Sequence, residues 1–174
     1  MKAWRAELFG QTLAALSRQT PVGYVFIGTE SERKAIETAQ MAYRQAGGRG
    51  PLCDAVGRTT LPQLAAVLAQ CRLLLTNDTG PMHLAVGVGT PVIDLSVGHV
   101  DFRETGPYGP GHWIVQPDMG CAPCGFDQVC LHHACKDRLV PDQIAALCLH
   151  VLNGGAFPEK LTGIKIYRSR VDED

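Results

Sequence analysis

The stretch Arg72-Leu73-Leu74-Leu75-Thr76-Asn77-Asp78-Thr79-Gly80-Pro81-Met82-His83 decides the fold. Residues 72–76 form a short apolar run without polar alternation, the pattern of a strand buried on both faces. Gly80-Pro81 breaks the strand and opens a helix predicted over 81–88. Pro81 suits the first helical position, where its missing N–H costs nothing. A buried strand leading through a tight turn into a helix is the repeating step of a parallel α/β sheet.

The same step recurs on both sides of this stretch. Helices are predicted over 4–18, 31–46, 61–70 and 141–152, from apolar spacings of three to four residues. Strands are predicted over 22–27, 52–56, 91–95 and 113–116. Thr60 is placed to cap the third helix, with Pro62 in its first turn. Strands alternating with helices predict a doubly wound α/β domain with a parallel, Rossmann-like sheet over residues 1–154. After Gly154-Gly155 the composition turns to mixed charge, and 155–174 reads as a C-terminal linker or arm.

Composition narrows the function classes. The chain has 174 residues and a net charge of -1, which suits one domain with a small appendage. Near-neutral charge excludes a generic nucleic-acid binder, which needs Lys and Arg in excess to neutralise phosphates. No apolar run approaches the roughly 20 residues that span a bilayer, and no secretory signal stands at the start. A cytoplasmic chain with reduced thiols is the reading that follows.

Chemistry is expected beyond the carboxyl ends of the strands. Asp78, Thr79, Gly80, Met82 and His83 lie there. Backbone N–H groups around Gly80, Met82 and His83 at the positive end of a helix would form an anion site suited to phosphate. Thr79 adds a hydroxyl, and Gly80 lets the backbone approach closely. Asp78, which repels phosphate, is read as holding the turn. The same residues also fit an ordinary capping turn with a surface histidine. Asp54, in the predicted second strand, reads by itself as a solvated loop acid.

Four of the seven cysteines fall between Cys121 and Cys135. The spacing Cys121-x2-Cys124-x5-Cys130-x4-Cys135, with His132 and His133 inside, is open to three readings. It suits a structural zinc, structural thiols either free or disulfide-linked, or redox chemistry. Cys53, Cys71 and Cys148 lie in or beside apolar segments and read as buried small hydrophobes.

Asn77-Asp78-Thr79-Gly80-Pro81-Met82-His83-Leu84-Ala85, followed by Gly89-Thr90-Pro91-Val92, resembles the signature of glycosyltransferase family 9, the ADP-heptose:lipopolysaccharide heptosyltransferases. Thr105-Gly106-Pro107-Tyr108-Gly109 resembles a later loop of that family, and the four clustered cysteines resemble a pattern found in many members. Lys2-Ala3-Trp4 resembles its Lys-x-Trp-Pro motif, with Arg5 in place of the proline. The resemblance runs from residue 2 to about 152. The loop Gly98-His99-Val100-Asp101-Phe102 departs from the family's Gly-Pro-Thr-Asp-Pro and keeps only Gly98 and Asp101. That difference bears on which sugar is transferred.

The resemblance implies one Rossmann-like half of a two-domain GT-B fold, the C-terminal half that binds the nucleotide sugar. The donor, an ADP-heptose-like nucleotide-diphosphate sugar, would be held by Lys2, Asp54, Asp78, Thr79, Gly80, Met82, His83 and Asp101. Transfer to a lipopolysaccharide-core acceptor would be inverting. Lys2, His83 and the helix N-terminus would stabilise the leaving diphosphate, with no cofactor or metal required. The catalytic base and the acceptor site belong to the other half, so this chain is expected to bind donor and transfer nothing alone. A full-length protein would be cytoplasmic or peripheral at the inner membrane face. The alternatives are a non-catalytic nucleotide-sugar-binding module and a small zinc or redox protein centred on the cysteine loop.

Overall fold

A computed structural model describes residues 3–99, 101–124, 130, 132–154 and 161–169. The elements, in chain order, are α1 (Ala6–Ser17), β1 (Tyr24–Phe26), a 3-10 turn (Glu30–Glu32) running into α2 (Arg33–Gln45), β2 (Leu52–Asp54), α3 (Leu61–Ala69), β3 (Leu74–Thr76) and α4 (Gly80–Gly87). Then come β4 (Val92–Leu95), α5 (Phe102–Thr105), β5 (Trp113–Pro117), α6 (Cys135–Arg138), α7 (Pro141–Leu152) and β6 (Ile164–Arg168). Local sequence explains the helix starts. The Thr60 N–H donates to Gln63 Oε1 at 2.9 Å, half of a capping box that opens α3. α4 begins one residue earlier than the sequence suggests, so Pro81 falls at its second position.

The strands divide between two hydrogen-bonded sheets. β1 and β2 pair in parallel, and β3, β4 and β5 pair in parallel in that order. Alternate residues feed opposite faces. Leu75, Ile93 and Leu95 pack with Trp4, Leu16, Ile144 and Leu147 of the α1 and α7 side. Leu74 and Val92 pack with Leu68, Met82 and Ala85 of α3 and α4. Each fully buried Leu, Ile, Val or Met contributes about 1.5–3 kcal/mol, and both faces need a helix layer to obtain it. This is the doubly wound arrangement expected. β1 is held by side chains rather than by a ladder to β3: Val22 and Tyr24 pack on the α1–α7 core and Ile27 on the α3–α4 core.

One difference from the sequence reading concerns the C-terminal segment. Residues 164–168, read as linker or arm, form β6, which pairs antiparallel with β5 from Trp113↔Arg168 to Pro117↔Ile164. Ile164 and Ile166 join the main core, Lys165 pairs with Asp118 at 2.8 Å, and the Tyr167 ring lies 4.5 Å from Phe102. The mixed charge conceals a strand whose Ile164 and Ile166 turn to the core while Lys165 and Arg168 are exposed. Cys53, expected to be buried, is exposed, because β2 is a short edge strand whose middle residue faces solvent. Cys148 is buried as expected and Cys71 is half-buried.

Candidate functional site at the end of β3

Thr76 ends β3, and the chain then turns sharply. The Thr76 hydroxyl donates to the Asn77 carbonyl at 2.9 Å, and the Thr79 hydroxyl donates to the same carbonyl at 3.2 Å. Asn77 Oδ1 accepts the Trp4 backbone N–H at 2.9 Å, while the Trp4 indole N–H donates to the Lys136 carbonyl at 2.8 Å. Buried Trp4 therefore braces the turn from behind and ties it to α6.

The front of the turn faces solvent. Thr79, Gly80 and His83 are exposed, whereas the Met82 side chain is buried and anchors α4 in the core. The Met82 N–H closes on the Thr79 carbonyl at 3.0 Å, so it is not one of the free donors the sequence suggested. The Gly80 N–H has no acceptor among the described residues. A Cβ on Gly80 would meet nothing within 4 Å, so the space before the helix N-terminus is open. An unpaired N–H at the positive end of a helix, with a hydroxyl and an imidazole beside it, suits an anionic oxygen.

Asp78 lies beside this opening and accepts a hydrogen bond from the Thr105 hydroxyl. Thr105 ends α5, which Asp101 caps by accepting the Arg103 N–H at 3.0 Å. Asp101 also pairs with the Arg103 guanidinium at 3.6 Å. Asp101 thus starts the short helix that delivers Thr105 to Asp78. Thr105 is a site residue not singled out from the sequence, although it stands in a motif that was quoted.

Asp94 also went unrecognised. It lies on β4 in register with Thr76, is fully buried, and has no hydrogen-bond partner for either carboxyl oxygen among the described residues. Burial first, and the charge of Asp78 second, push its carboxyl up to about 8. Within Pro91-Val92-Ile93-Asp94-Leu95, the one sign was an acid in a strand otherwise buried on both faces.

Asp54 stands at the carboxyl end of β2, as expected, with its oxygens engaged. It accepts from the Val56 N–H at 3.0 Å and from the Gln40 side chain at 3.2 Å, and Arg33 lies 3.7 Å away. These hold the carboxyl below its usual range, the Val56 backbone bond contributing most. Lys2 lies outside the described residues. Cys121, Cys124, Cys130 and Cys135 are free thiols, and burial followed by the neighbouring thiols raises that of Cys124. Among the described residues, no three His, Cys, Asp or Glu side chains are grouped so as to hold a metal ion. The Cys124 N–H donates to the Gly98 carbonyl at 3.1 Å, which ties the cysteine segment to the loop after β4.

Two clefts lie elsewhere. One is formed by residues 17–23 and 49–51, the other by Val86, Gly89, Pro91 and the stretch from Tyr108 to His112. Both lack the convergence of open amide, hydroxyl, imidazole and carboxylate found at the end of β3, so the chemistry points to the turn.

The profile of glycosyltransferase family 9 (heptosyltransferase) matches residues 1–134, and the chain belongs to this family. It is 27% identical over 146 residues to lipooligosaccharide heptosyltransferase 2 of Campylobacter jejuni, covering 82% of this chain and 44% of that protein. It is 30% identical over 112 residues to a lipopolysaccharide core heptosyltransferase of Haemophilus influenzae, covering 62% of this chain and 29% of that one. The fold matches ADP-heptose lps heptosyltransferase II of Escherichia coli with a TM-score of 0.71 at 19% identity, over 88% of this chain and 43% of that one. A family 9 glycosyltransferase of Veillonella parvula matches with a TM-score of 0.65 at 21% identity, again over 88% and 43%. The architecture is that of GT-B transferases, and the chain spans less than half the length of these relatives.

Proposed function

We propose that this chain is the nucleotide-sugar-binding half of a heptosyltransferase that builds a lipopolysaccharide core, and that the β3–α4 turn holds the donor diphosphate. The observation that carries this reading is the open helix N-terminus at Gly80, flanked by exposed His83 and by Asp78 in the grip of Thr105. The names of the similar proteins support the donor class. An ADP-heptose-like donor would set its phosphates against the Gly80 amide, the Thr79 hydroxyl and the His83 ring. Asp78, a poor neighbour for phosphate, would accept hydroxyl protons of the sugar.

In transfer, an acceptor hydroxyl attacks the anomeric carbon from the face opposite the diphosphate, which leaves with the bonding electrons. Negative charge grows on the diphosphate as the bond breaks. The α4 N-terminus and His83 stabilise that charge without reorganising, and Lys2, which matches the lysine of the family motif, would add a cation. The acceptor and the base that takes its proton would be supplied by a second domain across the cleft. No metal is needed for this division of labour. The working location would be cytoplasmic, at the inner membrane face. Among the described residues no helix is long and apolar enough to cross a membrane.

Isothermal calorimetry with ADP tests the reading. The chain is expected to bind ADP, and His83→Ala to weaken binding by about tenfold, the loss of one hydrogen bond to a charged group. Absence of binding by a folded sample would overturn the donor-site assignment. With ADP-heptose and acceptor, the chain alone is expected to show no turnover.

A further inference from the structure

Behind the turn lies a carboxyl group that the donor-site reading leaves unused. Asp94 is on β4 beside Thr76, on the sheet face that α4 covers, and is fully buried. Among the described residues, neither of its oxygens has a hydrogen-bond partner. The Ser96 hydroxyl, two residues along the same strand direction, is also buried and without a partner among the described residues, and the Ser96 N–H continues the ladder to Val115. Asp78, in front, is the charged group that acts on Asp94, and its own carboxylate is occupied by Thr105.

Among the described residues, no cation acts on Asp94. β3 and β5, its ladder neighbours, carry no titratable side chain. His112, just before β5, is buried, and burial lowers its pKa so that its ring is neutral. His83 on α4 is exposed. Near α5, Arg103 is paired with Asp101. A buried carboxylate in this position would be desolvated, without a bonded partner among the described residues, and repelled by Asp78 and by any phosphate bound at the turn. Each of these opposes ionisation, and together they make the protonated acid the form compatible with an occupied site.

We propose that Asp94 is a positioning residue of the anion site that works as an uncharged carboxyl, so that the turn meets an incoming diphosphate with one negative charge rather than two. The proposal rests on the reading of the turn as a diphosphate site. Loss of the proton from Asp94 would set a second charge behind Asp78, and the diphosphate would bind less tightly.

ADP affinity of the reduced chain, measured by calorimetry between about pH 7 and pH 9, tests this. If only the neutral form binds, an acid titrating at about 8 makes ADP bind roughly tenfold more weakly at the upper pH than at the lower. Asp94→Asn should bind ADP equally at both. The ligand-free protein gives a second readout. Unfolded Asp94 ionises near its ordinary value while folded Asp94 keeps its proton, so wild-type stability falls through the interval between the two values. The Tm gap between Asp94→Asn and wild type should widen from about pH 5 to about pH 8 and stay constant above. Should Asp94→Asn not fold, Asp94→Ser carries the same comparison, and the wild-type affinity curve is decisive without either variant. ADP binding that is flat with pH in the wild type would overturn the proposal and leave the donor site standing. No ADP binding at any pH would overturn both. A stability gap that does not change with pH would show Asp94 to be ionised in the fold, and would overturn the proposal by itself.

Discussion

Two aspartates lie at the carboxyl ends of neighbouring β-α units, and the fold treats them differently. Asp54, closing β2, is held from three sides: the Val56 N–H and Gln40 donate to it and Arg33 stands beside it. Asp78, two residues beyond β3, has the Thr105 hydroxyl and an open front, with Asp94 behind. A carboxylate has about four lone-pair sites. Where the chain fills two and sets a cation beside them, as at Asp54, the charge latches the local backbone. Where the chain fills one, as at Asp78, the rest remain available to a ligand. Equivalent positions in the topology therefore do not carry equivalent chemistry.

The comparison can be broken or sharpened experimentally. The largest effect is expected behind β3, where Trp4→Ala should destabilise the chain by about 3–5 kcal/mol, the usual cost of emptying a buried aromatic site. Urea titration measures it, and a loss under about 1 kcal/mol would mean that the brace does not matter. Next is Gly80→Ala. Its new Cβ meets no protein atom within 4 Å, so stability should stay within about 0.5 kcal/mol while ADP affinity falls about tenfold or more. Equal ADP affinity in this variant would place the ligand elsewhere.

Thr105→Val should be milder, since it removes the clasp on Asp78 and leaves the helix N-terminus intact. A fewfold loss of affinity for the sugar-bearing donor, with ADP itself little changed, would assign Asp78 to the sugar. The smallest effect is expected at Asp54. Its carboxyl is held below the ordinary range, so its contribution is present at neutral pH and lost as pH falls through its folded value. The wild type should therefore lose an increment of Tm below about pH 4 that Asp54→Asn lacks at every pH. An Asp54→Asn variant whose Tm follows the wild type throughout would show that the latch does not act.

The backbone of the site was legible in the sequence. A five-residue run rich in leucine, a glycine and a proline name the strand, the turn and the helix start within a dozen positions, and the structure differs by two residues at the start of β3 and by one at the start of α4. The Thr60 capping box was legible for the same reason, because donor and acceptor are three residues apart. What escaped was the partner of each polar group. Thr105 reaches Asp78 across 27 positions and Trp4 reaches Asn77 across 73. β6 escaped because Ile164, Lys165, Ile166 and Tyr167 are a strand only when β5 offers an edge to pair with.

By itself, the sequence determined the order of α1 to α4, β1 to β5 and α7 and the doubly wound class, and it singled out the β3–α4 turn. These rest on backbone preferences and apolar periodicity, which act over a few residues and need no knowledge of the rest of the chain. Tertiary structure decided which aspartate is latched, which is open and which is buried without a partner. Charge state and availability depend on the dielectric and the donors around a group, and those are brought from distant segments only when the sheet has assembled.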